Sequence, residues 1–421
     1  MIARRRAAAL GTALALLLGT ASASTLGAAP AVAAEDTSCS ADRPTSIAGE
    51  PPGLQRLGAR TAWQQSTGEG VRVAIVDSGV DTRNAHLRGA VADGVSTGAS
   101  GSPENDLVGH GTAIGGIIAA REVEGSGVVG VAPDAELLAV RAFEVLEGSN
   151  DERIAPSIER IAAGISWAAE HGADVINVSL SVGADDARLR GAVQKAQAAG
   201  ALVVASAGNR NTADQDDPPT RFFPAEYPGV LGVAAVDIEG IWQADASFAG
   251  DWVDVVAPGS QVQTAYLSAG DCILGDSPSS SWATGYVSGA AALVAAAHPE
   301  ETPDDWAYRL QATALRADPW SRTDETGWGE VRPAEAIAFI DDGTAPGPAS
   351  PVHEAPERSA APVAPIAIGG DADPMATTRA VVLGTLMAGV AISAIALLLG
   401  RLGARRGRRG RAGIGDSSPS A

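Results

Sequence analysis

The chain has 421 residues, a formal net charge of −20 and 45% hydrophobic residues, with aromatics at only 4%. That is ample apolar content for a large core, and α/β folds of more than about 250 residues are often a single domain. The acidity argues against a nucleic-acid partner, which needs a basic face; it reads as a solvated surface, or as one that holds calcium.

Residues 1–34 carry the signs of an export signal. Arg4, Arg5 and Arg6 precede an apolar stretch from Ala7 to Ala21, and small residues follow at Ala31-Val32-Ala33 and Val32-Ala33-Ala34. This is the pattern of a secretory signal peptide. Residues 35–54 then form an N-terminal extension that holds Cys39. The other cysteine is Cys272, and no third exists. An even pair in an exported chain suggests a disulfide, two unpaired thiols being the alternative. Whether the extension is a removed propeptide or a permanent wrap is open; a Cys39–Cys272 bond favours the wrap.

The body, residues 55–340, alternates strand and helix. Continuous apolar runs fall at Val71–Val76, Leu137–Val140, Val175–Val178, Leu202–Ala205, Val230–Val236 and Val253–Val256. Such runs suit parallel strands buried on both faces. Helical spacing falls between them at His110–Ala120, Ile158–Ala169 and Ala187–Ala199, and again at Ser279–Ala297. The alternation predicts an α/β fold, a mostly parallel sheet flanked by helices on both faces. Ligands of such sheets bind beyond the carboxyl ends of the strands, so the residues there carry the functional reading.

Asp77 leaves the first run, and a carboxylate there is costly without a partner such as a histidine N–H. His110 stands between glycines at a helix start, as the base that Asp77 would orient. His86 sits in a polar loop and reads as a surface residue. Asn209 follows the run ending at Ser206 and offers an amide donor to a developing oxyanion. Ser281 opens a helix of small residues, where free N–H groups and a partial positive charge favour an alkoxide. Each has a plain alternative: turn residues for Asp77 and Asn209, a packed turn for His110, a simple cap for the serines. Jointly they supply one acyl-transfer set, and that is the reading adopted.

Beyond the body, residues 341–379 are rich in Pro, Ala, Gly and Ser and read as a semi-extended stalk. Residues 380–400 are 21 residues without a charge, close to the ~20 that a membrane-spanning helix needs. Arginines crowd the segment 401–421, so by the positive-inside rule this tail is cytoplasmic and the body extracytoplasmic.

The segments VAIVDSGVD, GHGTAIGGIIAA, VINVSL, ASAGN and YVSGAAALV resemble the subtilisin-like serine proteases, the subtilases, over residues 55–340. The order acid, histidine, serine is theirs; an α/β-hydrolase would need a Gly-x-Ser-x-Gly elbow, which the chain lacks. Signal peptide, extension, stalk, single anchor and basic tail together resemble the mycosins, the membrane-anchored subtilases of type VII secretion systems. The resemblance implies a catalytic triad of Asp77, His110 and Ser281, and an oxyanion hole from Asn209 and the Ser281 backbone N–H. It implies that Ser179 and Leu180 pair with substrate backbone as an added strand. Protein or peptide substrates, a type VII membrane complex as partner and no cofactor for chemistry follow in the same way. Calcium is a structural ion common in the family, with no ligand set assignable here and no metal residue named.

Departures are local. The family motif Gly-Thr-Ser-x-Ala-x-Pro is here Ser279-Ser280-Ser281-Trp282-Ala283-Thr284-Gly285, and the usual Ser-Leu-Gly strand is Ser179-Leu180-Ser181. If the first position needs φ > 0, Ser279 strains the turn; Gly285 should loosen the helix, and Ser181 adds a side chain beside the substrate groove. These changes motivate a second reading, a structural part of the secretion complex with weak or dispensable protease activity.

Overall fold

The computed structural model describes residues 39, 45–98, 101–144, 156–210, 220–354 and 375–409. The signal peptide, most of residues 35–44, the stalk from 355 to 374 and the tail from 410 onward lie outside them. The chain divides into two units, residues 1–356 and 357–421.

In chain order the first unit holds α1 (Pro52–Leu57), α2 (Ala59–Ala62), β1 (Arg72–Asp77), β2 (Val91–Ser96), α3 (His110–Ala119) and β3 (Glu136–Arg141). There follow α4 (Ile158–Glu170), β4 (Val175–Val178), α5 (Ala187–Ala198), β5 (Leu202–Ser206), β6 (Leu231–Val236) and β7 (Val255–Pro258). The unit closes with β8 (Val262–Ala265), β9 (Asp271–Leu274), α6 (Ser280–Ala297), α7 (Pro303–Ala312) and α8 (Pro333–Ala338). The second unit is described through α9 (Ala376–Arg409), whose stretch Thr377–Leu402 is long and apolar enough to cross a membrane.

Seven strands form one sheet in the order β2-β3-β1-β4-β5-β6-β7, and every pairing in it is parallel. Because side chains alternate along a strand, the sheet feeds two cores. Val73, Ile75, Leu137 and Ala139 join the layer of α3 and α6; Ala74, Val76, Leu138 and Val140 join that of α4 and α5. Helices thus cover both faces, as the unbroken apolar runs require.

The strand order reverses between β1 and β4, where the chain has first built outward through β2 and β3 and then turns the other way. A crevice at the carboxyl ends of two such strands is the usual ligand position. Asp77 ends β1 and Ser179 follows β4, so the candidate residues converge on this point.

Three strands escaped the sequence reading. β2 is a half-exposed edge strand, its sequence VADGVS too polar to read as a buried run. β8 and β9 make an antiparallel pair, with Cys272 bonded to Cys39 across a Cα separation of 5.4 Å. α1 starts at Pro52 and crosses the expected boundary between extension and body.

Candidate active site

β1 is fully buried along Val73–Asp77, and its last residue carries the carboxylate into the crevice. Asp77 Oδ1 accepts the Ser78 N–H at 2.8 Å. Both carboxylate oxygens face His110 Nδ1, at 2.8 and 2.9 Å. A carboxylate only accepts, so Nδ1 carries the proton and the neutral ring presents the Nε2 lone pair on its other side.

His110 is the first residue of α3. Gly109 before it has φ 89°, and a Cβ there would enter the Tyr266 ring. At Gly111 a Cβ would meet the Gly79 carbonyl and the Asp77 side chain, so both flanking glycines are required for the imidazole to reach the acid. Gly111 N–H also donates to Ser78 Oγ at 2.9 Å, tying the helix start to the strand end. The other anchor is Asp106, buried and accepting from the N–H groups of Val108, Gly109 and Thr112 and from Thr112 Oγ1, at 2.7–2.9 Å. Its role was not read from the sequence; an acid three residues before a helix-opening glycine was the signal available.

Burial works against the His110 imidazolium, but the Asp77 carboxylate, reinforced by its hydrogen bond and by Asp106, outweighs it and holds the group above its ordinary value. Burial likewise pushes the Asp106 carboxyl up, against the pull of its four donors.

Ser281 is the second residue of α6, buried on nearly all sides. The strain foreseen at Ser279 does not arise. That residue is the N-cap at φ −131° and ψ 130°, extended backbone open to any side chain. Its Oγ accepts the Ser281 N–H at 3.3 Å. At Gly285 a Cβ would lie 3.2 Å from Ile117 Cγ2, so its smallness lets α3 and α6 pack closely.

The Ser281 hydroxyl donates to the Ser179 carbonyl at 3.1 Å, and no hydrogen bond to His110 is formed among the described residues. The Ser179 hydroxyl returns the contact, lying 3.0 Å from the Ser281 carbonyl. Trp282, next along α6, packs on the His110 ring with centroids 4.9 Å apart, so helix and imidazole meet side by side.

Asn209 is brought to the same helix end. Its Oδ1 accepts from Ser280 N–H at 2.7 Å and from Ser280 Oγ at 2.8 Å. With its single proton committed there, Ser280 Oγ accepts from Ser206 Oγ at 2.6 Å. These contacts fix the amide plane beside Ser281. Leu180, after Ser179, is partly buried against the α4–α5 core, and Ser181 is half-buried next to it.

His86 is not a surface residue. It is buried, with Nδ1 2.7 Å from the Arg121 carbonyl and Nε2 2.9 Å from Asp271 Oδ1. Among the described residues no group of three or more His, Cys, Asp or Glu side chains could hold a metal ion.

Known proteins match the same body. The chain is 36% identical to Subtilisin E of Bacillus subtilis over 266 residues, covering 63% of this chain and 66% of that protein, just under two thirds of its length. It is 37% identical to Subtilisin Savinase of Lederbergia lenta over 252 residues, 59% of this chain and 85% of the relative. Among solved structures it is similar to MycP1 from Mycobacterium smegmatis, with a TM-score of 0.61 and 29% identity over 76% of this chain and 93% of that one. It is also similar to the MycP3 protease from the type VII (ESX-3) secretion system, with a TM-score of 0.60 and 29% identity over 70% and 92% of the two chains. The family profile of the subtilases matches residues 68–330, and the chain belongs to the Subtilase family.

Proposed function

We propose that the chain is a membrane-anchored serine endopeptidase that cleaves peptide bonds through an acyl-enzyme on Ser281. The observation that carries this is the Asp77–His110 pair, bonded at 2.8 Å, set against the N-terminus of the helix that bears Ser281. His110 Nε2 takes the Ser281 proton as Oγ attacks the scissile carbonyl, then returns it to the leaving amine. Asp77 holds the ring in the required tautomer and stabilises the imidazolium. The developing oxyanion is received by Asn209 and the Ser281 N–H, and a substrate strand lies along Ser179 and Leu180. No cofactor enters these steps.

The apolar helix around residues 380–400 is the anchor, with the body at 55–340 outside, the segment 341–379 as stalk and 401–421 inside. Likeness to MycP1 and MycP3, together with this layout, supports service beside a type VII secretion complex. Labelling with a fluorophosphonate probe tests the chemistry: Ser281 is modified in the folded protein and labelling is lost in His110→Ala. Absence of labelling in correctly folded protein overturns the reading.

One observation favours a second reading, a structural part of that complex with dispensable activity: the Ser281 hydroxyl rests on Ser179 rather than on His110. Secretion that persists in a Ser281→Ala strain but fails on deletion of the chain would decide for it.

A further inference from the structure

We propose that the Ser279 hydroxyl is an autoinhibitory cap that occupies the oxyanion position at rest and has to be displaced for acyl transfer. The inference rests on the protease reading and concerns a residue where the family motif has glycine, which has no side chain to place there.

The two N–H groups that open α6 are both engaged. Ser280 N–H goes to Asn209 at 2.7 Å, a contact that orients the amide. Ser281 N–H goes to Ser279 Oγ at 3.3 Å, and this N–H is one of the two donors the reaction needs. An acyl oxygen and the Ser279 hydroxyl cannot both take it along the same direction.

The cap moves without the backbone. Ser279 N–H donates to the Gly259 carbonyl at 3.0 Å, and a Cβ on Gly259 would run into the Ser279 backbone, so the main chain there is pinned. Only the side-chain torsion remains to clear the hole. At 3.3 Å the contact is long for a hydrogen bond, as suits a cap that yields.

A second hold acts on the same residue. Ser281 Oγ is bonded to the Ser179 carbonyl, an acceptor that an added substrate strand would take for itself. Pairing of a peptide there frees the hydroxyl to turn toward His110, while the incoming carbonyl oxygen displaces Ser279. Both holds keep the nucleophile idle until an extended chain arrives.

Ser279→Ala, Ser279→Gly and Ser279→Thr, each in the full chain, test this. A neutral hydrogen bond of this kind corresponds to about a three- to tenfold effect. Ser279→Ala and Ser279→Gly should therefore raise the fluorophosphonate labelling rate and kcat on a peptide substrate by that factor, with KM nearly unchanged. Ser279→Thr keeps a capping hydroxyl and should stay at the wild-type rate. A lower melting midpoint in the Ala and Gly variants, with faster labelling, separates loss of a cap from a general gain in order. Wild-type labelling at Ser281, with Ala and Gly variants folded but no faster, overturns the cap and leaves the protease reading intact. No labelling in wild type or any variant overturns both.

Discussion

The chemistry proposed for His110 depends on which of its neighbours sets its charge. Asp77 contributes the largest influence raising its pKa, so the neutral base appears only above the ordinary histidine value of about 6.5. Activity should rise with pH through that higher value, as a plot of kcat/KM against pH would record. The folded state favours the imidazolium, so this pair stabilises the protein below about pH 6.5 and loses that contribution as pH rises through the raised value. Asp77→Asn should shift the acid limb of the profile downward and reduce kcat by roughly 10⁴-fold, because an amide can hold the wrong tautomer. Asp77, His110, Asn209 and Ser281 were legible as residues because each stands where a regular element starts or ends. Ser279 was misjudged for strain, since a motif letter does not give the φ of its position. His86 was misjudged for exposure, since its partner Asp271 lies far along the chain.

At the scale of the element, α3 and α6 are held by small contacts that identity alone does not disclose. Asp106 satisfies the opening of α3 through four donors. Asp106→Ala leaves those buried N–H groups without their acceptor, and should cost about 2 kcal/mol and lower kcat more than KM, by thermal melting and steady-state assay. The glycines of α6 differ from one another. At Gly289 a Cβ would sit 2.6 Å from Val131 Cβ in the core, and overpacking of about 1–3 kcal/mol exceeds the ~1 kcal/mol that alanine adds in helix propensity. Gly289→Ala should therefore lower the melting midpoint. Gly285→Ala, against an Ile117 methyl that can give a few tenths of an ångström, should be close to neutral. If both variants melt alike, close packing is not what keeps these positions small.

At the scale of the whole molecule, the N-terminal segment is fastened to the β8–β9 pair. Cys39 is bonded to Cys272, Thr45 N–H donates to the Ala269 carbonyl at 2.9 Å, and Ile47 N–H donates to Asp271 Oδ2 at 2.7 Å. Asp271 also accepts from Ser126 Oγ at 2.6 Å and meets His86. Burial opposes its charge, yet these donors prevail and hold its carboxyl below the ordinary value. The clasp is thus intact above about pH 4 and weakens as pH falls through the depressed value. Reduction of the disulfide should destabilise the protein by about 2–4 kcal/mol, and together with acid should expose residues near 39–47 to proteolysis. Melting curves with and without reductant, and mass mapping of the cleavage sites, would check both. This supports the extension as a permanent wrap, the alternative that a Cys39–Cys272 bond favours.

The sequence by itself determined the parallel α/β architecture, because strands buried on both faces need unbroken apolar runs and the helices between them need apolar spacing of their own. It also determined the apolar C-terminal helix, through length and lack of charge, and offered the candidate groups for the proposed chemistry, through their places at element ends. Only the tertiary structure decided how those groups stand toward one another. The reversal of strand order sets Asp77 beside Ser179, and α3 and α6 meet over the sheet, so contacts across more than a hundred residues choose between Ser179 and His110 as the partner of one hydroxyl. Hydrogen bonding is directional and short in range, and no pattern along the chain encodes a torsion that distant backbone settles.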